Sequence, residues 1–213
     1  MHEFKAWPKT TRLFRDIIVT EKLDGTNSAI HITAVAQDKP GEITVWPGEW
    51  ISLLVDGEWY VVSAQSRKRI ISPGKTTDNY GFARWVYDNA EQLVRVLGVG
   101  THFGEWWGKS IQRGYGLDER RFSLFNTTKG RELDLHKSGR LPVGTASVDM
   151  APVLYEGMFG SEHIEEALYW LQQSGSVAAP GFMNPEGVCV YHTASRQVSK
   201  VTLDANDAGK WEA

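Results

Sequence analysis

The amino-acid sequence predicts an α+β fold. Apolar residues occur mainly in short runs bounded by turn signals such as Pro47-Gly48 and Asp56-Gly57, which is typical of β-strands. Only two longer stretches repeat apolar residues with the period of an α-helix. Nine tryptophans and 21 glycines among 213 residues also favour strands and tight turns around aromatic side chains over a helical bundle.

Short strands are predicted along the whole chain. They are expected at residues 16–20, 27–35, 42–46, 58–64, 101–107, 121–126, 153–156, 187–192 and 197–203. Residues 108–118 and 127–151 are predicted to be long loops, and loops of that length often carry function.

Two helices interrupt these strands. The first is predicted over 80–97, with Asp78 or Asn79 as its cap, because apolar residues share one face of that stretch. The second is predicted over 161–174, with Ser161 as its N-cap.

Composition excludes several classes of protein. The chain has 23 basic and 26 acidic residues, so its bulk charge does not indicate nucleic-acid binding, although a local groove can still be basic. The single cysteine, Cys189, excludes a disulfide framework and a cysteine-based zinc cluster. Residues 1–7 do not form a secretory signal, and no apolar run approaches the roughly 18 residues of a membrane span. We therefore expect one cytoplasmic domain over 1–213, with a tail at 204–213 and no membrane or disulfide partner.

The most informative segment is 21–27, which reads Glu-Lys-Leu-Asp-Gly-Thr-Asn between two predicted strands. Lys22 would lie at a strand end, where its side chain can face a pocket, and Gly25 permits a turn or the close approach of a ligand. Lys22 and Asp24 would share one face by strand alternation. A lysine amine attacks as a nucleophile only after losing its proton, which burial and nearby cations favour. On these residues alone, a solvated Lys-Asp pair at a hairpin is the favoured interpretation.

Three further segments each allow two interpretations. Glu105 lies among aromatic residues and glycines in 103–108, as a pocket carboxylate or an exposed acid at a strand edge. Glu186 opens an apolar strand, either as a cation ligand or facing solvent. Lys200 lies in the middle of the strand 197–203, a position that is usually on the solvent face.

The order and spacing of these segments resemble the covalent nucleotidyltransferase superfamily of polynucleotide ligases and mRNA capping enzymes. Within it, the chain is most similar to RNA ligases of the second phage type. The matching segments are 21–27 for motif I, 66–67 for the arginine that follows it, 102–108 for motif III, 121–126 for motif IIIa, 186–190 for motif IV and 197–203 for motif V.

The resemblance implies a catalytic role for two lysines and one acid. Lys22 would attack the α-phosphorus of ATP and form a lysyl–AMP bond. Lys200 would contact the α-phosphate, and Glu186 would help to bind Mg²⁺ or Mn²⁺. Such a set makes physical sense, because phosphoryl transfer depends on positioning and charge neutralisation.

The resemblance also implies nucleotide contacts elsewhere. Phe125 would stack on the base, and Glu105 would hold the ribose hydroxyls. Arg67 would contact the ribose or the incoming phosphate. The other implied nucleotide-binding residues belong to motifs I and IV: Glu21, Asp24, Gly25, Asn27 and Glu186.

Two groups of cations are candidate contacts for the nucleic-acid backbone. The run Arg67-Lys68-Arg69 is either a solvated charge run or the receiver of a 5′-phosphate, and the sequence favours neither. Several cations flank the loop 108–118, and we expect some of them to contact nucleic acid: Lys109, Arg113, Arg120 and Arg121.

The chain departs from the family pattern at three points. Motif IIIa has Asn126 where the family usually has aspartate, and motif V has Thr202 where a second lysine is common, unless Lys210 replaces it. The chain also stops about a dozen residues after motif V. We therefore expect a lone adenylation domain without the OB-fold or another C-terminal domain, an arrangement that favours an RNA-ligase-like enzyme.

The resemblance thus implies antiparallel sheets that form a nucleotide-binding cleft with flanking helices, as in ATP-grasp-like ligase adenylation domains. It implies ATP-dependent joining of RNA through self-adenylation of Lys22, transfer of AMP to a 5′-phosphate and attack by a 3′-hydroxyl. Three alternatives stay open: a ligase of DNA or mixed nicks, an enzyme that only adenylates 5′-phosphate ends, and a non-catalytic nucleotide- or RNA-binding module. The departures at Asn126 and Thr202 keep the last of these open.

Overall fold

The computed structural model of the chain describes residues 3–7, 9–36, 50–135 and 139–204. The chain divides into two compact units. The first unit comprises Met1–Lys22 and Pro152–Ala213, and the second comprises Leu23–Ala151. The single domain predicted over 1–213 stays a prediction.

The described residues form the following elements, given in chain order. The strands are β1 (Asp16–Lys22), β2 (Thr26–Val35), β3 (Ile51–Val55), β4 (Glu58–Ser66), β5 (Ile70–Ile71), β6 (Gly100–Gly108), β7 (Arg120–Leu124), β8 (Leu141–Val143), β9 (Ala146–Met150), β10 (Val153–Met158), β11 (Gly187–His192) and β12 (Gln197–Thr202). The helices are α1 (Phe82–Asp88), α2 (Ala90–Leu97), α3 (Thr127–Glu132) and α4 (Ser161–Ser174).

The first unit contains an antiparallel sheet with strand order β10-β1-β11-β12. Alternate residues of β1 are buried, which is the pattern of a strand with one covered face. Helix α4 covers that face, where Ala167 and Leu171 share a core with Ile17 and Val19 of β1 and with apolar residues of β11. The opposite face carries the alternate residues of β1, which are Ile18, Thr20 and Lys22.

The second unit contains a larger sheet with strand order β3-β4-β2-β6-β7-β9-β8, and β5 pairs with β4. The pairings are antiparallel except for the parallel pair β7–β9. Helices α1 and α2 share its main core, in which Trp85 stacks on Trp106 with ring centroids 4.9 Å apart. Phe82 completes this aromatic cluster against Trp106 and Phe122. Two of the nine tryptophans of the sequence, Trp85 and Trp106, thus belong to the core between these helices and the sheet.

Most of the predicted strands are observed with small changes at their ends. The prediction of a strand at 42–46 and of a turn at Pro47-Gly48 falls outside the described residues, as do Lys210 and nearly all of the tail at 204–213. Two short elements, β3 and β5, were not predicted. They complete the edge of the larger sheet beside β4.

The prediction of a long loop at 127–151 is wrong. This stretch contains α3, β8 and β9. The helix begins because the side chain of Asn126 accepts a hydrogen bond from the backbone N–H of Lys129 at 3.0 Å, which is the geometry of an N-cap. Strand β9 pairs in parallel with β7, and a pairing that distant in the chain leaves no local signal.

The helical predictions need two corrections. The single helix predicted over 80–97 is divided at Asn89, whose side-chain amide donates to the carbonyl of Trp85 at 2.7 Å. Ser161 is the first helical residue of α4 rather than its N-cap, which is Gly160. No helix within the described ranges is long and apolar enough to cross a bilayer.

The first turn of α1 is capped from a distance. Gly81 holds the N-cap position, but the Asp78 carboxylate accepts hydrogen bonds from the N–H groups of Ala83 and Arg84 at 2.8 and 3.1 Å. Asn79 instead donates to the hydroxyl of Thr26 at 2.7 Å. The predicted cap is therefore supplied by Asp78, from outside the N-cap position.

Candidate functional site

Lys22 is the last residue of β1, as the sequence predicted. Because side chains alternate along the strand, the buried Val19 and Glu21 point toward α4 and Lys22 points to the opposite face. There the amine of Lys22 forms an ion pair with Oε1 of Glu186. The two side chains are only 21% and 16% exposed, so the pair lies in a partly enclosed position.

Glu186 offers a second, unused oxygen. Its Oε2 is buried, and it has no hydrogen-bond partner among the described residues. A buried carboxylate oxygen without a partner is unfavourable unless a ligand satisfies it. Mg²⁺ in phosphate-handling sites commonly binds one or two carboxylates and takes its other ligands from phosphates and water. Glu186 therefore fits a divalent cation of that kind, and no cluster of three or more His, Cys, Asp or Glu side chains in the described ranges offers another metal site.

Lys200 lies on the same face of the sheet as Lys22. In the strand register, Lys22 is level with Gly187 and Thr202, whereas Lys200 is level with Cys189, two residues further along β11. Residues two positions apart on a strand share a face, so Lys200 and Thr202 both belong to the face that carries Lys22. The register thus brings the two predicted catalytic lysines onto one face of the sheet, with Lys200 exposed on the edge strand β12.

Glycine is required at position 187, between Lys22 and Thr202. Gly187 has φ of +145°, and a Cβ there would lie 2.2 Å from the carbonyl oxygen of Val201. No other residue could occupy this position without moving β12. The absence of a side chain lets β11 and β12 approach closely at the row that holds the nucleophile candidate.

Glu21 lies on the covered side of the sheet. Its side chain is 1% exposed and accepts hydrogen bonds from the hydroxyl of Ser176 at 2.5 Å and from the N–H groups of Val177 and Ala178 at 2.8 and 3.0 Å. Burial raises the pKa of the Glu21 carboxyl, and these three hydrogen bonds oppose that change. Glu21 therefore anchors the segment that follows α4, and a nucleotide contact by Glu21 stays a prediction.

In the second unit, Asn27 and Glu105 are direct neighbours on adjacent strands. The register of β2, β6, β7 and β9 aligns Asn27, Glu105, Ser123 and Asp149 in one row across the sheet. Trp106, one residue further along β6, belongs to the aromatic core, so the row lies on the sheet face opposite α1 and α2. Sequence analysis named two of these four residues, and the register shows that they share one polar face.

Phe125 lies at the end of β7, next to Phe103. The backbone N–H of Phe125 donates to the carbonyl of Phe103 at 3.0 Å. Phe103 and Glu105 are two residues apart on β6, so they share the polar face. Phe125 is 43% exposed and Phe103 is 47% exposed, which leaves both rings able to stack on a planar ligand.

The other two members of the row form a buried hydrogen-bonded chain that sequence analysis missed. The indole N–H of Trp107 donates to the hydroxyl of Ser123 at 2.6 Å, and that hydroxyl donates to Oδ1 of Asp149. The guanidinium of Arg121 lies over the Trp107 ring, 5.3 Å from its centroid. Burial raises the pKa of Asp149 to about 7, against the lowering effects of the Ser123 hydrogen bond and the Arg121 charge. Serine and aspartate in a strand carry no local signal of such a chain.

We expect stability to depend on pH through Asp149. Because its pKa is higher in the folded protein than its ordinary value of 3.8, the folded state holds the proton more tightly between about pH 4 and 7. Stability relative to Asp149→Asn should therefore fall as pH rises through this window, by up to about 1.4 kcal/mol per pH unit. Denaturant unfolding of both proteins at pH 4.5, 5.5 and 6.5 measures this difference. A constant difference across the three pH values would contradict the raised pKa.

The run Arg67-Lys68-Arg69 is the exposed turn between β4 and β5. The N–H of Ser66 donates to the carbonyl of Arg69 at 2.8 Å and closes the turn, and the Arg69 guanidinium donates to the carbonyl of Thr76 at 3.3 Å. A nucleotide or nucleic-acid contact by this run stays a prediction.

The cations that flank the loop 108–118 differ in their environments. Lys109 is exposed, whereas Arg121 is buried and pairs with Glu119 at 2.9 Å. Arg113 pairs with Asp24 at 3.0 Å, so its charge already has a partner in the protein. Contacts of Lys109, Arg113 and Arg121 with nucleic acid stay predictions.

Comparison with known proteins agrees with the predicted fold class. A family model described as RNA ligase matches residues 15–206. No curated protein matches the sequence. Among solved structures, a variant of the Naegleria gruberi RNA ligase with AMP and Mn matches with a TM-score of 0.52 and 16% identity, over 93% of this chain and 52% of that chain.

Two other variants of the same ligase match this chain with similar scores. One with ATP and Mn gives a TM-score of 0.51 and 15% identity over 90% of this chain and 50% of that chain. Another variant with ATP and Mn gives a TM-score of 0.50 and 16% identity, over 93% of this chain and 52% of that chain. At such identities the likeness concerns the fold alone, and it confirms the α+β class with antiparallel sheets. The chain spans about half the length of these solved ligase chains.

Proposed function

Since this chain belongs to the RNA ligase family, we propose that it joins RNA strands in an ATP-dependent reaction that begins with adenylation of Lys22. The observation that carries the proposal is the Lys22–Glu186 ion pair at the end of β1, with a buried oxygen of Glu186 left without a described partner. The solved ligases of similar fold hold ATP or AMP together with Mn, which supports the same cofactors here.

In the first step, the uncharged amine of Lys22 attacks the α-phosphorus of ATP. A nitrogen–phosphorus bond forms, the bond from that phosphorus to the bridging oxygen breaks, and pyrophosphate leaves while the nitrogen loses a proton. Oε1 of Glu186 contacts the amine and holds it at the end of the strand before the attack. Lys200, on the same face, supplies positive charge to the α-phosphate.

The two later steps transfer and then release AMP. An oxygen of a 5′-phosphate attacks the adenylate, the nitrogen–phosphorus bond breaks, and the nitrogen of Lys22 takes up a proton. A 3′-hydroxyl then attacks the activated 5′-phosphate, forms the phosphodiester and displaces AMP. A divalent cation at Oε2 of Glu186 would neutralise phosphate charge when bound.

The polar face of the second unit suits the nucleoside. Glu105 and Asn27 lie side by side on adjacent strands, and their carboxylate and amide can hydrogen-bond to ribose hydroxyls. Phe125 offers an exposed ring near this row for the base. We assign these three side chains to nucleotide binding rather than to bond making.

Phe125→Ala should weaken ATP binding about tenfold or more, because stacking of one base on an aromatic ring is worth about 1–3 kcal/mol. Phe103→Ala is the matched control, since Phe103 lies beside Phe125 and has a similar exposure. Equilibrium binding of ATP to both variants measures the effect. A loss confined to Phe103→Ala would assign the base to Phe103 and contradict the role of Phe125.

A labelling experiment tests the whole proposal. The protein is incubated with α-labelled ATP and Mg²⁺, denatured, and examined for acid-labile label that stays on the protein. The labelled protein is then chased with 5′-phosphorylated nicks in RNA and in DNA. We expect label on the protein and sealing of the RNA nick.

Other results of the labelling or of the chase would identify a different function. Sealing of the DNA nick alone would indicate a DNA ligase. Adenylated 5′-ends that are never sealed would indicate an enzyme that only activates ends. Nucleotide binding without label at any pH would indicate a non-catalytic binding module.

A further inference from the structure

The connection between β6 and β7 has an energetically unfavourable backbone conformation, which other contacts must stabilise. Three of its non-glycine residues, Ser110, Gln112 and Tyr115, have φ of 61°, 45° and 54°, in the left-handed region. L-residues rarely adopt this conformation, and it persists only where surrounding contacts determine it. Backbone strain alone does not indicate a function, so we infer the role of this connection from the residues that it contacts.

Two side chains anchor the connection inside the second unit. Ile111 is fully buried, and Tyr115 is 2% exposed. The Tyr115 ring packs edge-on against Trp107, with ring centroids 4.7 Å apart at 75°. The connection is closed by the N–H of Lys109, which donates to the carbonyl of Glu119 at 2.9 Å.

The anchored connection holds Asp24 at two points. The backbone N–H of Asp24 donates to the hydroxyl of Tyr115 at 2.9 Å. The Asp24 carboxylate accepts from Nε of Arg113 at 3.0 Å, and both of these side chains are largely sheltered from solvent. Residues about ninety positions away thus restrain both the backbone and the side chain of Asp24.

Gly25, the next residue, packs against the same layer. A Cβ at Gly25 would lie 2.4 Å from the carbonyl oxygen of Trp106 and 2.6 Å from Cβ of Trp107. The turn 23–25 therefore lies directly on β6, beside the tryptophan that supports Tyr115. Asp24 follows the proposed nucleophile Lys22 by only two residues.

We propose that Tyr115 and Arg113 are positioning residues for adenylation: they fix Asp24 and thereby restrict the backbone that carries Lys22. This inference rests on the proposed function. It gives Arg113 a role inside the protein, where its charge alone had indicated contact with nucleic acid. Neither side chain touches the reacting atoms in this assignment, so both should affect the rate of the chemical step more than the binding of ATP.

The test uses Tyr115→Phe, which removes one hydroxyl and keeps the ring that packs on Trp107. Covalent labelling with α-labelled ATP is followed in single turnover at saturating ATP, and ATP affinity is measured separately. We expect the labelling rate to fall about tenfold or more, because misplacement by about 1 Å can cost up to a hundredfold in rate. ATP affinity should stay within about threefold, which corresponds to less than one hydrogen bond.

Tyr60→Phe is the matched control. It removes a tyrosine hydroxyl from the same unit that donates to Glu58 at 2.8 Å on the surface, so its labelling rate should equal that of the wild type. Arg113→Gln and Arg113→Lys form a second pair. The glutamine variant should be slow, and lysine should restore part of the rate because it can still pair with Asp24.

The outcomes separate this inference from the function on which it rests. An unlabelled wild type would overturn both. A labelled wild type with an unchanged rate in Tyr115→Phe and Arg113→Gln would overturn the positioning role alone. So would a loss of ATP affinity as large as the loss of rate. If Tyr115→Phe does not fold, as shown by thermal unfolding, the Arg113 pair decides by the same criteria.

Discussion

Lys22→Ala is expected to abolish covalent labelling by ATP. The reaction needs a nitrogen with a free electron pair at the end of β1, and alanine supplies none. Removal of a catalytic nucleophile commonly costs on the order of 10⁴-fold or more in rate, so the remaining label should lie below detection. The label that stays on the protein is measured on a denaturing gel after incubation with α-labelled ATP and Mg²⁺.

Lys22→Arg separates the charge of this residue from its nucleophilicity. Arginine can keep the ion pair with Glu186, but its guanidinium stays protonated at any accessible pH and cannot attack. This variant should fold and bind ATP yet remain unlabelled. Lys75→Ala, which removes an exposed lysine elsewhere in the chain, is the control and should label normally. Persistent label in both Lys22 variants would place the nucleophile elsewhere.

Glu186→Gln is expected to have the second largest effect. It keeps the size of the side chain but removes the charge that faces Lys22 and the buried oxygen that suits a divalent cation. Loss of one electrostatic contact of this kind commonly lowers the rate about 10²- to 10³-fold. The concentration of Mg²⁺ or Mn²⁺ needed for half-maximal labelling should rise, while the preference among the four nucleotides should stay the same.

A titration of labelling against metal concentration, at saturating ATP, measures this effect. Glu165→Gln is the matched control, because Glu165 is exposed on α4 in the same unit. It should leave both the rate and the metal requirement unchanged. If Glu186→Gln altered nucleotide preference but not the metal requirement, Glu186 would belong to base recognition and the metal assignment would fail.

Motif V illustrates what a departure from a family pattern means in the folded chain. Thr202 lies level with Lys22 across β11, whereas Lys200 lies two residues away on the same face. A second lysine of motif V, at position 202, would therefore lie nearer to Lys22 along the strands than Lys200 does. Motif IIIa differs in kind: Asn126 caps α3, and asparagine caps helices as well as aspartate does.

Lys22 was found because its motif is local and occupies the neighbouring residues 21–27. The direction in which Lys22 points came from the structure, which buries Ile17, Val19 and Glu21 on one side of β1, whereas the sequence shows no such alternation. Glu186 and Lys200 were found by the order of short motifs, each within one strand or at its end. Periodicity and motif spacing require no knowledge of which strands pair.

Other parts of the site could not be predicted in this way. Asp149 joins the row of Glu105 only because β9 pairs in parallel with β7, and the chain reaches that pairing through a stretch that looked like a loop. The charge of Arg113 is visible in the sequence, but its ion pair with Asp24 is not, because the two residues are distant in the chain.

The sequence by itself determined the α+β class and most of the strands, because each depends on periodicity or composition within a short window. The polar residues of the proposed chemistry came from the order and spacing of short motifs that resemble a known superfamily. The tertiary structure decided which side chains are neighbours: Glu186 with Lys22, Asn27 with Glu105, and Tyr115 with Asp24. Those contacts join residues that are distant in the chain, and strand pairing and burial select them through the free energy of the whole fold.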